Sequence, residues 1–132
     1  MSASQYDFNI DQGSSFRLSI TYTDNDGNPI NLTDFCARIV WLTDDNNTFI
    51  FSTENIDPSL YSFNIDPLIG KLELQIPASV TNSYAFTSAK YDLEIESPVE
   101  IYPSGGKQVT RILFGNVYIN RRYSENETLL EC

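Results

Sequence analysis

Apolar and polar residues alternate along much of this chain with a period of two. Phe16, Leu18, Ile20 and Tyr22 alternate with Arg17, Ser19 and Thr21. Phe35, Ala37, Ile39 and Trp41 form one face of a second segment, and Thr48–Phe51 makes a short third. Leu72, Leu74 and Ile76 alternate with Lys71, Glu73 and Gln75, and Tyr91, Leu93 and Ile95 alternate with Lys90, Asp92, Glu94 and Glu96. A long last strand is predicted from about Val109 to Asn120. Side chains of a strand point alternately to its two faces, so this pattern predicts strands with one buried face and one wet face. The predicted inward set is Phe16, Leu18, Ile20, Ala37, Ile39, Trp41, Leu72, Leu74, Ile76, Tyr91, Leu93 and Ile95.

Turn formers separate these runs. Asp24-Asn-Asp-Gly-Asn-Pro29 and Asp44-Asp-Asn-Asn47 each close a strand. Asn55-Ile-Asp-Pro58 recurs as Asn64-Ile-Asp-Pro67, which reads as two strand ends meeting proline turns, because proline holds the preceding residue extended. Helix is expected in at most one short turn near residues 77–84, with Pro77 at its start. Closely spaced short strands with dense turns argue for an antiparallel sandwich or barrel. At 132 residues the chain suits a single domain over 1–132, with extended arms at 1–8 and 121–132. The arms carry Tyr6, Phe8, Tyr123, Leu129 and Leu130 without the periodicity of a packed element.

Charge narrows the partners. The net charge is −10, with −8 of it in residues 1–70 and −2 in residues 71–132. Such a surface repels phosphate backbones and anionic lipid, so neither nucleic acid nor a membrane is an expected partner. The first residues show no basic stretch followed by an apolar one, so a secretion signal is not expected, and the Asn31, Asn46 and Asn126 glycosylation triplets read as chance. Cys36 and Cys132 read as free thiols of a chain made in a reducing compartment.

Candidate chemistry is thin. The chain has no histidine, which removes the commonest general base, the usual catalytic triads and most catalytic zinc sites. The acid pairs Asp24/Asp26 and Asp44/Asp45 lie in solvated turns, where nothing raises one pKa for acid duty. A calcium loop at Asp24–Asn28 fails in register, since Gly27 as the sixth position puts Tyr22 first and Thr33 twelfth. Gly105-Gly-Lys107 lacks the earlier glycine of a phosphate loop. No enzyme activity, cofactor or metal is expected.

The last strand is different. Leu113, Val117 and Ile119 share one side with Gly115, and Ile112, Phe114 and Tyr118 share the other. The segments at 71–76 and 90–96, read as its neighbours, keep charge on their outer faces. A strand apolar on both faces needs cover on both, from its own chain or from another. The candidate interface residues are therefore Tyr6, Phe8, Ile112, Phe114, Tyr118, Tyr123, Leu129 and Leu130.

Three stretches carry a resemblance: Tyr6-Asp-Phe-Asn-Ile-Asp-Gln-Gly13, Ser15-Phe-Arg-Leu-Ser-Ile-Thr-Tyr22 and Asp26-Gly-Asn-Pro-Ile-Asn-Leu-Thr33. Phe35–Trp41, Tyr91–Ile95 and Val109–Val117 continue it. Together they resemble the small β-domains of tailed-bacteriophage virion proteins, such as the N-terminal domain of upper baseplate proteins. Phe114 departs from the pattern, standing where such domains tend to carry a polar residue. The resemblance implies an immunoglobulin-like sandwich of about seven or eight strands. It implies a non-catalytic assembly module of the tail, baseplate or neck, made in the host cytoplasm. Its partners would be other virion proteins in multiple copies. Two alternatives remain: a capsid decoration protein, and a carbohydrate- or receptor-binding module that stacks ligands on some of the 17 aromatic residues.

The expectation of no bound metal has a direct check. EDTA should leave the melting temperature of the purified protein unchanged, because removing a bound native-state ligand lowers apparent stability. A drop of many degrees would show a bound metal and overturn the reading of the Asp24–Asn28 loop as a plain turn.

Overall fold

The computed structural model describes residues 3–54, 56–100 and 106–122. Among these residues nine strands form two sheets. In chain order they are β1 (Ser4–Gln5), β2 (Phe8–Asp11), β3 (Phe16–Thr21), β4 (Cys36–Thr43), β5 (Thr48–Ser52), β6 (Ser62–Asp66), β7 (Lys71–Ile76), β8 (Ser88–Glu100) and β9 (Lys107–Asn120). A single 3-10 turn, Pro67–Ile69, joins β6 to β7, and one short helix, α1 (Ala78–Asn82), joins β7 to β8. Pro77 stands just before α1, as the pattern predicted.

The smaller sheet has the order β3-β7-β6. The larger has the order β1-β9-β8-β4-β5, with β2 also on β9. This is an all-β sandwich with immunoglobulin-like strand order: β3, β7 and β6 correspond to B, E and D, while β4, β8, β9 and β5 correspond to C, F, G and C′. A fully buried tryptophan on the C strand, Trp41, fits that arrangement. Cys36 is a free thiol whose pKa is raised, first by burial and then by Glu96.

Ten of the twelve predicted inward residues are buried, namely Leu18, Ala37, Ile39, Trp41, Leu72, Leu74, Ile76, Tyr91, Leu93 and Ile95. Phe16 and Ile20 pack against them while partly exposed, because β3 is an edge strand. Trp41 sits among aromatic rings, with centroids 4.5 Å away for Phe51, 5.8 Å for Tyr84, 6.0 Å for Phe86 and 6.2 Å for both Phe8 and Phe49. Such tilted and edge-on pairs contribute about 0.5–1.5 kcal/mol each beyond area burial.

Several expectations are corrected. The N-terminal arm is not an arm over its described length. β1 and β2 both run parallel to β9, with Ser4 opposite Leu113 and Phe8 opposite Val117. The sandwich is therefore not wholly antiparallel. This pairing turns Phe8 and Ile10 into the core, at 5% and 0% exposure. Phe8 stacks on Phe16 at 5.2 Å and meets Tyr91 at 5.0 Å, bridging the two sheets. Nor does β7 neighbour β9, since 71–76 lies in the other sheet.

Ile112 is corrected for a different reason. Leu93 pairs with Leu113, but Glu94 pairs with Arg111, so Ile112 is the extra residue of a β-bulge. A bulge interrupts the strict alternation of faces. Ile112 therefore joins Leu113 in the buried set rather than standing outward with Phe114.

Gln12 and Gly13 tie the layers together. The Gln12 amide donates to Asn82 O and Tyr84 O, both at 3.3 Å, and its Oε1 accepts from Arg122 N at 3.2 Å. Gly13 has φ +84°, and a Cβ there would meet Arg122 Cδ at 2.6 Å. Gly13 N donates to Thr81 Oγ1, which in turn donates to Ser14 O at 2.8 Å. The amide thus satisfies Asn82 O at the end of α1, which no helical partner reaches, and shares Tyr84 O with Arg121 Nη1 at 2.6 Å. Gln12→Ala should lower unfolding free energy by about 1–3 kcal/mol in urea, because it leaves buried polar groups unpaired. The exposed Asn9→Ala should stay within about 0.5 kcal/mol of wild type.

Candidate functional site

The outer face of the larger sheet gathers several apolar residues that the core does not use, while Leu60, Leu68 and Ile69 are exposed elsewhere, around β6 and the Pro67–Ile69 turn. Cross-strand pairing builds the face row by row. Phe114 lies opposite Asp92, Asp92 opposite Val40, and Val40 opposite Ile50. In the next row Asn116, Lys90, Leu42 and Thr48 follow one another across the same four strands. Tyr118 extends the β9 end of the face. Leu42 is 55% exposed, Ile50 56% and Tyr118 42%, while Phe114 and Val40 are half-buried. A shallow concavity of about 640 Å³ lies between Phe114 and Leu42, over Val40, Lys90 and Asp92.

The charges on this face are partly paired. Arg111 Nη1 is 3.1 Å from Asp92 Oδ1, and its guanidinium carbon lies 4.6 Å from the Phe114 ring centroid. The stacked guanidinium covers one side of the ring and contributes about 0.5–1 kcal/mol at an exposed site. Arg38–Glu94 and Lys107–Glu96 are looser pairs, each at 3.7 Å. Four of the chain's eight basic side chains therefore stand on this face, against Asp92, Glu94 and Glu96 within it and Asp7 and Asp11 at its β2 edge. On a chain of net −10 it is close to charge-balanced.

β1 and β2 close the far margin of this face. Gly115 permits the close crossing, since a Cβ there would lie 2.2 Å from Tyr6 O. Tyr6 N donates to Phe114 O at 2.8 Å, and Tyr91 Oη donates to Tyr6 O at 2.6 Å. Burial first, then the Asp7 charge, pushes the Tyr91 phenol pKa well up, so it stays a donor at any ordinary pH. Asp7 Oδ1 accepts from Asn116 N at 2.8 Å, standing in for a backbone carbonyl between the two short strands.

Of the eight candidate interface residues, Phe114 and Tyr118 share the outer face. Tyr6, 50% exposed, lies at its margin on the link between β1 and β2. Phe8 and Ile112 are core. Tyr123, Leu129 and Leu130 lie outside the described residues. Val40, Leu42 and Ile50 belong to the face and were not anticipated. Their signal was present, for Ile39-Val-Trp-Leu42 is apolar on both sides of its strand, as is Phe49-Ile-Phe51.

The loop acids serve turns. Asp24 Oδ1 accepts from Asp26 N at 2.9 Å and Asn28 N at 3.0 Å, and Gly27 takes φ +82° between them. Among the described residues no group of three or more metal-ligating side chains comes together. Also among them, no helix is long and apolar enough to cross a membrane. No family model matches this chain, and no curated protein is significantly similar to it.

Two exposed acids, Asp45 and Asp57, and the half-buried Glu73 have carboxyls held below the usual range. The Thr43 hydroxyl lowers Asp45, the Ser59 hydroxyl lowers Asp57, and the Gln75 amide lowers Glu73. Because folding lowers these pKa values, their stabilisation is present above the unfolded value of about 4 and is lost as pH falls through the folded one. Asp45→Asn should therefore lose less melting temperature than wild type between about pH 5 and pH 2. Equal losses in the two proteins would show that the turn hydrogen bond carries no pH-dependent stability.

Proposed function

We propose that this protein is a non-catalytic assembly module of a tailed-phage virion, in the tail, baseplate or neck, and that it docks onto other virion subunits through the outer face of its larger sheet. One observation carries the docking reading: Phe114, Val40, Leu42, Ile50 and Tyr118 lie on one nearly charge-balanced face of a strongly acidic protein. Apolar residues that a chain leaves together on one face contribute when another surface covers them. Burying one such large side chain is worth about 1.5–3 kcal/mol, so a few anchors suffice in a repeating assembly. The virion as the setting rests on the resemblance over residues 6–120 and on the immunoglobulin-like strand order that goes with it.

The other readings gain less support. Trp41, the strongest stacking platform in the sequence, is fully buried and takes no part in a sugar surface. The polar loops provide backbone turns rather than paired catalytic carboxylates.

Electron microscopy of intact virions tests the setting, and two variants test the face. Phe114→Asp should reduce occupancy in particles by about tenfold or more, equivalent to about 1.4 kcal/mol of lost docking energy. Phe114→Ser should do the same without placing a second carboxylate opposite Asp92. Both should leave the free protein folded, with stability changed by about 1 kcal/mol or less, because the side chain is outside the core. Unfolding of the free variants by several kcal/mol, or normal occupancy of folded ones, would overturn the reading.

A further inference from the structure

The larger sheet ends at β5, and the backbone of that edge is partly open. Thr53 N donates to Ala37 O at 3.0 Å, and Thr43 N donates to Asn47 O at 2.9 Å. Both bonds fit the single register of β4 on β5. In an antiparallel pair the bonded positions alternate, so odd-numbered residues of β5 turn their backbone groups to β4 and even-numbered ones turn them away. At Ser52 the outward pair is capped. Its N–H donates to Tyr61 Oη at 3.0 Å, and that hydroxyl donates to Ser52 O at 3.3 Å. Thr48 and Ile50 have no such cap among the described residues. Their N–H and C=O groups form a short open ladder.

The other sheet margins are either charged or very short: β1 is only the two residues Ser4–Gln5. β2 holds Asp11, β3 holds Arg17 and β6 holds Asp66. Charged side chains on an edge discourage a further strand from pairing. β5, Thr-Phe-Ile-Phe-Ser, has neither a charge nor a proline. On its outer side Ile50 and Leu42 are both more than half exposed, ready to pack the alternate side chains of an added strand.

The ends of this edge select the occupant. Asp44 and Asp45 stand at the β4–β5 turn, and Glu54 and Asp57 follow β5. If two copies paired through β5 about a two-fold axis, the Asp44–Asp45 end of one would meet the Glu54 end of the other. Acid would face acid at both ends. An extended segment of a different protein, uncharged in its centre and carrying lysine or arginine at each end, meets the opposite charge at both. We infer that β5 is a strand-addition site for such a segment. This deepens the docking reading and rests on it, but it does not depend on the virion as the setting.

The probe is a short synthetic peptide of alternating threonine and valine with two lysines at each end. A second peptide has glutamates in place of the lysines. The lysine-ended peptide should slow hydrogen exchange at the Thr48 and Ile50 amides. It should bind at least about tenfold more tightly than its glutamate counterpart at low salt, with the gap closing as salt rises. Glu54→Lys, at an exposed position, should weaken the lysine-ended peptide several-fold. Ile50→Pro removes an outward N–H that β4 does not use, and should abolish protection at Thr48. If Ile50→Pro fails to fold, Glu54→Lys decides alone. Equal binding of both peptides, protection at another edge, or no binding would overturn the inference. So would protection of these amides on concentrating the protein alone, which would make a second copy the occupant. Phe114→Ser should keep the peptide affinity, since Phe114 on β9 lies three strands away from β5 across the face. Lost particle occupancy in Phe114→Ser with no peptide binding would sink the edge inference alone. Peptide binding alongside normal Phe114→Ser occupancy would sink the outer-face reading alone.

Discussion

Strand β9 is bonded along both edges, and the larger sheet depends on that double engagement. β8 pairs with it antiparallel along one edge, while β1 and β2 pair with it in parallel along the other. Partners on the β1–β2 side are 109 residues apart in the chain, as with Phe8 and Val117. Closing so long a loop is entropically costly, though the cost grows only slowly with length. Several contacts offset it at once: the backbone ladder, the burial of Phe8 and Ile10, the bond from Tyr91 to Tyr6, and the Gln12 amide over the end of α1. Without β1 and β2, β9 would become an edge strand and the Phe8 ring would leave the space between the sheets.

The same strand sets which side chains reach solvent. The bulge at Ile112 shifts the alternation by one residue, so Ile112 and Leu113 are both buried in succession. Beyond the bulge the order is regular, with Val117 and Ile119 inward and Phe114 and Tyr118 outward. Gly115 gives Tyr6 O its close approach to the strand. A bulge, a glycine and a parallel partner together hold Phe114 on the outer face under the Arg111 guanidinium.

Charge and apolar surface are segregated. The turns carry acids whose oxygens cap backbone amides, as at Asp24, or accept hydroxyls, as at Asp57. Basic residues concentrate on β4, β8 and β9, where they pair across strands. Exposed pairs of this kind add little stability, but they lower the electrostatic cost of bringing another acidic body near that face. The β5 edge differs, because its ends are acidic while its strand is neutral. The outer face and the edge are therefore suited to different partners, or to different parts of one.

The sequence by itself determined the antiparallel strands other than β6, the helical turn after Pro77 and most of the core. Period-two patterning is a local property, and one wet face makes it visible in β3, β4, β7 and β8. It also contained the apolar excess of β9, because Phe114 and Tyr118 alternate with Val117 and Ile119. Tertiary structure alone decided the rest. Phe8 and Ile10 alternate over too few residues to mark a strand, and they become core only when β9 supplies a partner from the other end of the chain. Ile112 was misplaced because a bulge depends on register against β8, which no single strand encodes. Val40, Leu42 and Ile50 became one surface with Phe114 because strand order put β4 between β5 and β8. Alternation shows that a residue has an inside and an outside, and only long-range pairing decides which neighbours share it.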